Sequence, residues 1–314
     1  MSVLGGDERY KDEVSISLVP EVVSECSLVA RKGRTGSCLS DDAIKFLSSR
    51  SGIKINVPDD VKELRRRYGV KKDKDLLVHL PQEMSKKEEI FFKIDGPSGV
   101  SLLSNDDIDT IMKQWTMAFP RFYAYNFNML DYDKYSFRNG RVVKGPDTLL
   151  SVDPEELFKK YDSCGCIINS DVYHGAGKHW MALYADTKNK TVEFFNSSGR
   201  SPVPEWTSWL ERARRGMAAS RGFRYEDIKV LTGHRVQQYS MTECGVYSLF
   251  YIWARLNGTP QEYFENNPIH DELMFEFRAH LYNGYLDNKV WNFDQFKKGT
   301  NVRWDSSGGH REGE

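Results

Sequence analysis

Apolar positions recur on two different periods along this chain, and the change between them organises it. From about residue 164 to 195, and again at 228–231, the spacing is that of strands. Cys164-Gly165-Cys166-Ile167-Ile168-Asn169, Trp180-Met181-Ala182-Leu183-Tyr184-Ala185, Thr191-Val192-Glu193-Phe194-Phe195 and Ile228-Lys229-Val230-Leu231 are short runs of this kind. Asp186 to Lys190 reads as a turn, so the second and third runs predict a hairpin. Elsewhere the spacing is helical. Val246, Leu249, Phe250 and Trp253 fall at i, i+3, i+4 and i+7. Ile108, Ile111, Met112 and Trp115 predict a second helix, capped by Ser104 or Asn105. Glu205 to Ala218 predicts a third, with Trp206, Trp209 and Leu210 on one side and Arg212, Arg214 and Arg215 on the other. A closing helix is expected over Asp271 to Tyr282.

The first hundred residues carry a different pattern. Val14 to Val19 alternates briefly, Ser40-Asp41-Asp42 opens a helix over Ala43 to Ser49 that Gly52 ends, and another helix runs from about Asp59 to Tyr68. Phe119 to Phe137 is aromatic-rich without a clear period, and Lys134 to Asp147, with Gly140 and Gly145-Pro146, reads as loop. Strands flanked by helical runs argue an α+β domain over 101–285. A separate, mainly helical arm is expected over 1–100 and a C-terminal tail over 286–314.

Composition narrows the class. A chain of 314 residues can bury a sizeable core, and a formal net charge of −1 gives no general drive toward nucleic acid or membrane. No apolar run is long enough to span a bilayer, and Met1 to Tyr10 lacks the apolar stretch of a signal peptide. Five cysteines, an odd number, do not resemble a disulfide framework and suggest a reducing, intracellular setting. The cluster Lys62, Arg65, Arg66, Arg67, Lys71, Lys72 and Lys74 reads as a solvated face, as does the basic side of the 205–218 helix, so a nucleic-acid partner is not favoured. Cys164-x-Cys166 has no further ligand nearby in sequence, which favours packing over a metal; no metal or cofactor is expected.

The candidate chemistry lies around Cys244. Ser240 with Glu243 fits a capping box, with Thr242 as a rival cap, and either choice puts Cys244 in the first turn of a helix. There the free N–H groups and the helix dipole favour a thiolate and predict a lowered thiol pKa. Gly245 removes bulk beside the sulfur. Position alone leaves a small buried hydrophobe as the commoner reading. A nucleophile needs a base, a group orienting the base and an oxyanion donor. His179 follows the glycine-rich loop His174-Gly175-Ala176-Gly177-Lys178 and opens a strand; Asn196 ends the neighbouring strand; Gln238 precedes Cys244 by six residues, with Gln237 as an adjacent alternative. Singly, these are as well explained as a half-buried histidine, a turn residue and a surface amide.

Together, Gly177-Lys178-His179-Trp180, Phe194-Phe195-Asn196-Ser197-Ser198-Gly199 and Gln238…Thr242-Glu243-Cys244-Gly245 resemble the His…Asp/Asn…Gln…Cys pattern of the ubiquitin-like-protease superfamily of SUMO proteases and adenain. Within it the chain is similar to the large-DNA-virus branch of asfarvirus type, through Ser37 to Ser40, Leu102 to Trp115, Cys164 to Trp209 and Gln238 to Leu281. The resemblance implies a papain-like core with a central mixed sheet flanked by helices. It implies Cys244 as nucleophile, His179 as general base, Asn196 as orienter and Gln238 as oxyanion donor. Trp180, with Asn169, would form the substrate wall of a channel that admits glycine. Most of the superfamily has Asp where Asn196 stands. The implied activity is a cysteine endopeptidase cutting viral structural polyproteins after Gly-Gly-Xaa type motifs during virion maturation, in the host cytoplasm and the virion. Deconjugation of a ubiquitin-like modifier and acetyl transfer of YopJ type are the alternatives. Gly5-Gly6-Asp7 and Gly308-Gly309-His310 are candidate self-processing sites, against the plainer reading of flexible terminal glycine.

Overall fold

The computed structural model describes residues 25–31, 37–53, 61–97, 101–138, 141–144 and 149–283. The alternating segment 14–19, both terminal glycine pairs, Gly140, Gly145-Pro146 and the 286–314 tail lie outside them.

Residues 25–96 form helices α1 (Leu28–Arg31), α2 (Asp41–Ser51), α3 (Val61–Tyr68) and α4 (Gln82–Glu89), with a 3-10 helix at Lys74–His79 between the last two. Ser40 caps α2 by accepting from the Ala43 N–H, and Gly52 ends it in the left-handed conformation, as the sequence predicts. A local core of Leu47, Leu64, Leu76 and Phe92 sits among these helices. Cys26 and Cys38 are joined by a disulfide, their Cα atoms 5.0 Å apart. This corrects the expectation drawn from an odd cysteine count: one pair can form while three thiols stay free, so the count does not fix a reducing setting.

The larger unit begins after strand β1 (Ile94–Asp95) with α5 (Asn105–Ala118), whose Ser104 and Asp107 complete a capping box. Short strands β2 (Phe122–Ala124) and β3 (Asn128–Met129) follow, then β4 (Tyr135–Arg138) and β5 (Arg141–Lys144), α6 (Pro154–Lys160), β6 (Ser163–Asn169), β7 (Trp180–Asp186) and β8 (Thr191–Phe195). The chain continues through α7 (Pro204–Arg221), β9 (Lys229–Thr232), α8 (Cys244–Leu256), α9 (Gln261–Asn266), α10 (Asp271–Leu281) and β10 (Tyr282–Asn283). The region expected as loop over 134–147 is in part the antiparallel hairpin β4–β5. The aromatic stretch with no clear period supplies β2 and β3, both parallel to β6; strands this short leave no readable alternation.

The main sheet runs β2–β6–β7–β8–β9, with β3 also on β6. Pairing is antiparallel for β6–β7–β8 and parallel at both margins, so the sheet is mixed. Every residue of β6, β7 and β8 is buried because helices cover both faces. Ala182, Tyr184 and Phe195 face α8, α5 and α10, while Met181, Leu183 and Phe194 face α6 and α7. This sets the site: β7 and β8 end beside the N-terminus of α8. The arm region is tied on by β1, parallel to β10, and by Gln114 Nε2 donating to the Phe92 carbonyl at 2.9 Å.

Candidate active site

His179 immediately precedes β7 and Asn196 immediately follows β8, and the β7–β8 register sets Ala182 opposite Phe195, which brings these two strand ends together. His179 Nε2 lies 2.8 Å from Asn196 Oδ1. The amide orientation is fixed independently. Asn196 Oδ1 accepts from the Ser198 N–H and hydroxyl, at 3.0 and 2.8 Å, and Nδ2 donates to the Arg200 carbonyl at 3.1 Å. With Oδ1 an obligate acceptor, Nε2 of His179 is the donor. The neutral ring therefore carries its proton there and leaves the Nδ1 lone pair available. Burial pulls the imidazole pKa below 6.5; the bond to Asn196 opposes that, and Arg200 adds to it.

Cys244 begins α8 and is buried. Burial raises its thiol to about 11, against the pull of the backbone N–H groups of Trp180, Gly245 and Cys244 itself. The expected lowering by the helix terminus is thus present as a pull but is outweighed by desolvation. Both shifts favour the uncharged thiol and imidazole. The expected capping box does not form either. Glu243 caps α8 without a side-chain bond and turns its carboxylate to Arg278, with Nε and Nη2 each 2.9 Å away and both residues fully buried. Arg278 Nη1 reaches the Ser101 carbonyl at 2.9 Å, so this pair ties the residue before the thiol to α10 and to the entry of the larger unit.

The two glutamines separate cleanly. Gln237 is buried and its side chain serves the 264–269 turn, donating to the Phe264 carbonyl and accepting from the Ile269 N–H. Gln238 lines a cavity with His179, Asn196 and Cys244. The Ser197 hydroxyl holds its Oε1 at 2.7 Å, and its Nε2 donates one hydrogen to the Ser240 carbonyl at 2.8 Å. The second hydrogen of that nitrogen has no acceptor among the described residues. An amide held this way beside a helix-start N–H can stabilise a developing oxyanion.

Cys244 borders two cavities. One, of about 390 Å3, is walled by Leu103, Trp180, Phe127 and the 175–178 loop; the other, of about 530 Å3, contains His179. Trp180 donates its indole N–H to the Leu103 carbonyl at 3.1 Å. A Cβ on Gly245 would come within 3.2 Å of both Leu103 and Trp180 side chains, so the room that glycine leaves is filled by this wall. Asn169 organises the glycine-rich loop, accepting from the Asp171 and Lys178 N–H groups at 2.9 and 3.1 Å. Asp171 packs so close to Gly175 that a Cβ there would lie 2.2 Å from its carboxylate. The sequence did not point to Leu103, Phe127 or Arg278. They lie far from Cys244 in the chain, and only the fold brings them near.

The arginines of α7 are engaged locally: Arg212 with the Leu149 and Val152 carbonyls, Arg215 with Glu211, Arg221 with Asp162, and Arg214 over the Tyr225 ring. Cys164 and Cys166 lie inside the sheet, where Asn128 Nδ2 approaches the Cys166 sulfur at 3.4 Å. No helix among the described residues is long and apolar enough to cross a membrane.

Comparison with known proteins adds to this geometry. The family model for the C-terminal catalytic domain of the Ulp1 protease family matches residues 110–288. A SUMO-1 cysteine protease of African swine fever virus is 33% identical over 209 residues, covering 64% of this chain and 75% of the relative. A protein of Acanthamoeba polyphaga mimivirus named as a thiol protease is 26% identical over 260 residues, covering 77% and 80%. The crystal structure of an African swine fever virus protease superposes with a TM-score of 0.53 at 27% identity, covering 83% of this chain and 96% of that one.

Proposed function

The chain belongs to the Ulp1 protease family and is a cysteine protease, and from that premise we propose that it processes a viral structural polyprotein. Cleavage follows small-residue Gly-Gly-Xaa type motifs during virion maturation, in the host cytoplasm and the virion. One observation supports the assignment of roles above the rest: His179, Asn196, Gln238 and Cys244 line a single cavity, in geometry that leaves His179 Nδ1 free to act. The viral source of the relatives supports the processing role. The arm over 1–100, the catalytic domain over 101–285 and the tail over 286–314 are the division that goes with it, the arm having a core of its own.

In this mechanism His179 takes the Cys244 thiol proton as the sulfur attacks the scissile carbonyl. A C–S bond forms and the carbonyl electrons move to oxygen, where the Cys244 N–H and the Gln238 amide receive the charge. The imidazolium hands its proton to the departing amine as the C–N bond breaks. Water, deprotonated by His179, then attacks the thioester; the C–S bond breaks and the thiolate regains a proton. Because both partners rest uncharged, proton transfer accompanies attack. Trp180 and Leu103 wall the acyl side, with Asn169 holding the loop beside them.

Acetyl transfer is set aside by family membership. Deconjugation of a ubiquitin-like modifier uses the same site, and the SUMO-1 name of the relative keeps it as the second reading. A panel of Gly-Gly-Xaa peptides, run beside a Gly-Gly-ended modifier carrying a fluorogenic leaving group, separates them. Polyprotein processing predicts rapid peptide cleavage that Cys244→Ala abolishes. Turnover of the modifier alone would reject it in favour of deconjugation.

A further inference from the structure

We infer that the larger cavity beside Cys244 receives the leaving-group side of the substrate, and that it selects a large, mainly apolar side chain there. The inference rests on the roles proposed above for Cys244 and His179. Its first step is directional. The imidazole must protonate the departing amine, so the peptide after the scissile bond has to lie on the His179 side of the sulfur. His179 lines the cavity of about 530 Å3 and is absent from the lining of the smaller one, which carries Trp180 and Leu103 instead. The two cavities therefore divide the substrate at Cys244, acyl half to one and amine half to the other.

The second step is chemical. Met181, Phe194 and Trp206 line the larger cavity from the buried layer between β7, β8 and α7, while Val203 and Tyr239 stand at its rim, 41% and 58% exposed. Such a lining gains little from glycine and favours burial of a large apolar side chain. Trp206 is 1% exposed, and its indole N–H has no acceptor among the described residues. Its ring is stacked on Tyr132 at 5.4 Å. The indole nitrogen has less than 1 Å2 of accessible surface, so Trp206 lines the cavity as an apolar ring. Leucine, methionine and tyrosine are large side chains of the kind this apolar lining fits. One of the first two residues after the scissile bond would carry it.

The test holds the acyl half of a cleaved peptide constant and places Gly, Leu, Gln, Met or Tyr at each of the first two positions after the cut. Expected kcat/KM is lowest for Gly, higher for Gln and highest for Leu, Met and Tyr at one of them, with a span of about tenfold or more. Val203→Arg, at the exposed rim, should erase that preference. It should leave the inhibition constant of a peptide aldehyde ending in Gly-Gly unchanged, because an aldehyde has no leaving-group side. Equal rates across the panel, or a Val203→Arg effect as large on the aldehyde as on the peptides, would overturn the inference. An aldehyde that fails to inhibit the wild-type protein would remove the protease roles of Cys244 and His179, and the inference with them.

Discussion

Cys166 in β6 and Cys244 at the start of α8 are both buried thiols, and burial raises the pKa of each. What points at the sulfur distinguishes them. Cys166 donates to the Asn126 carbonyl at 3.3 Å, is approached by Asn128, and stays well above the ordinary thiol value. Cys244 is faced by three backbone N–H groups, which limit its rise to about 11, and it shares a cavity with an imidazole of fixed tautomer. Depth of burial is common to the two cysteines; backbone donors aimed at the sulfur, a neighbouring imidazole and an open cavity belong to Cys244.

Exchanging the two thiols for alanine tests that contrast most sharply. Cys244→Ala should reduce peptide cleavage to background, whereas Cys166→Ala should keep wild-type kcat/KM. Activity in the first variant would assign the chemistry elsewhere. His179→Ala should lose about 10²–10⁴-fold in kcat. Asn196→Ala should lose less, because it frees the tautomer while keeping the base. If Asn196→Ala were the more damaging, the ring would be oriented through another contact. Arg278→Met leaves the fully buried Glu243 without its counter-charge, and should destabilise the fold by about 3–5 kcal/mol in a denaturant titration. Pairing it with Glu243→Gln should restore part of that loss.

The smallest effect is in the pH profile. His179 must be neutral to accept a proton, and burial lowers its pKa, so the acid limb of kcat/KM should lie below pH 6.5. The thiol stays protonated through neutral pH, so iodoacetamide should label Cys244 slowly in the resting enzyme. Fast labelling that plateaus below pH 6 would instead indicate a preformed thiolate–imidazolium pair.

Much of this contrast is legible in the chain because it is written in local pattern. The buried strands over 163–169, 180–186 and 191–195 follow from apolar runs between turn residues, and α8 follows from the spacing of Val246 to Trp253. The spacing before Cys244 narrows the amide to Gln237 or Gln238, and the fold separates the two. What could not be read is set by distant partners. Glu243 and Ser240 have capping-box spacing, yet the carboxylate is claimed by Arg278, thirty-five residues on (|i−j|=35). The same holds for Leu103, seventy-seven residues (|i−j|=77) from the Trp180 indole it meets, and for Cys26 with Cys38, whose pairing depends on how α1 and α2 are brought together. The expected thiol pKa had the wrong sign because helix position can be seen in a sequence and desolvation cannot.

The Glu243–Arg278 pair also imposes an order in time. Synthesis adds about 5–20 residues per second, so Arg278 leaves the ribosome several seconds after Glu243. Over that interval the segment carrying the thiol cannot bury its carboxylate against a counter-charge. The nucleophile, base and oxyanion amide proposed above are thus all translated before the pair that anchors the thiol segment to α10 can form.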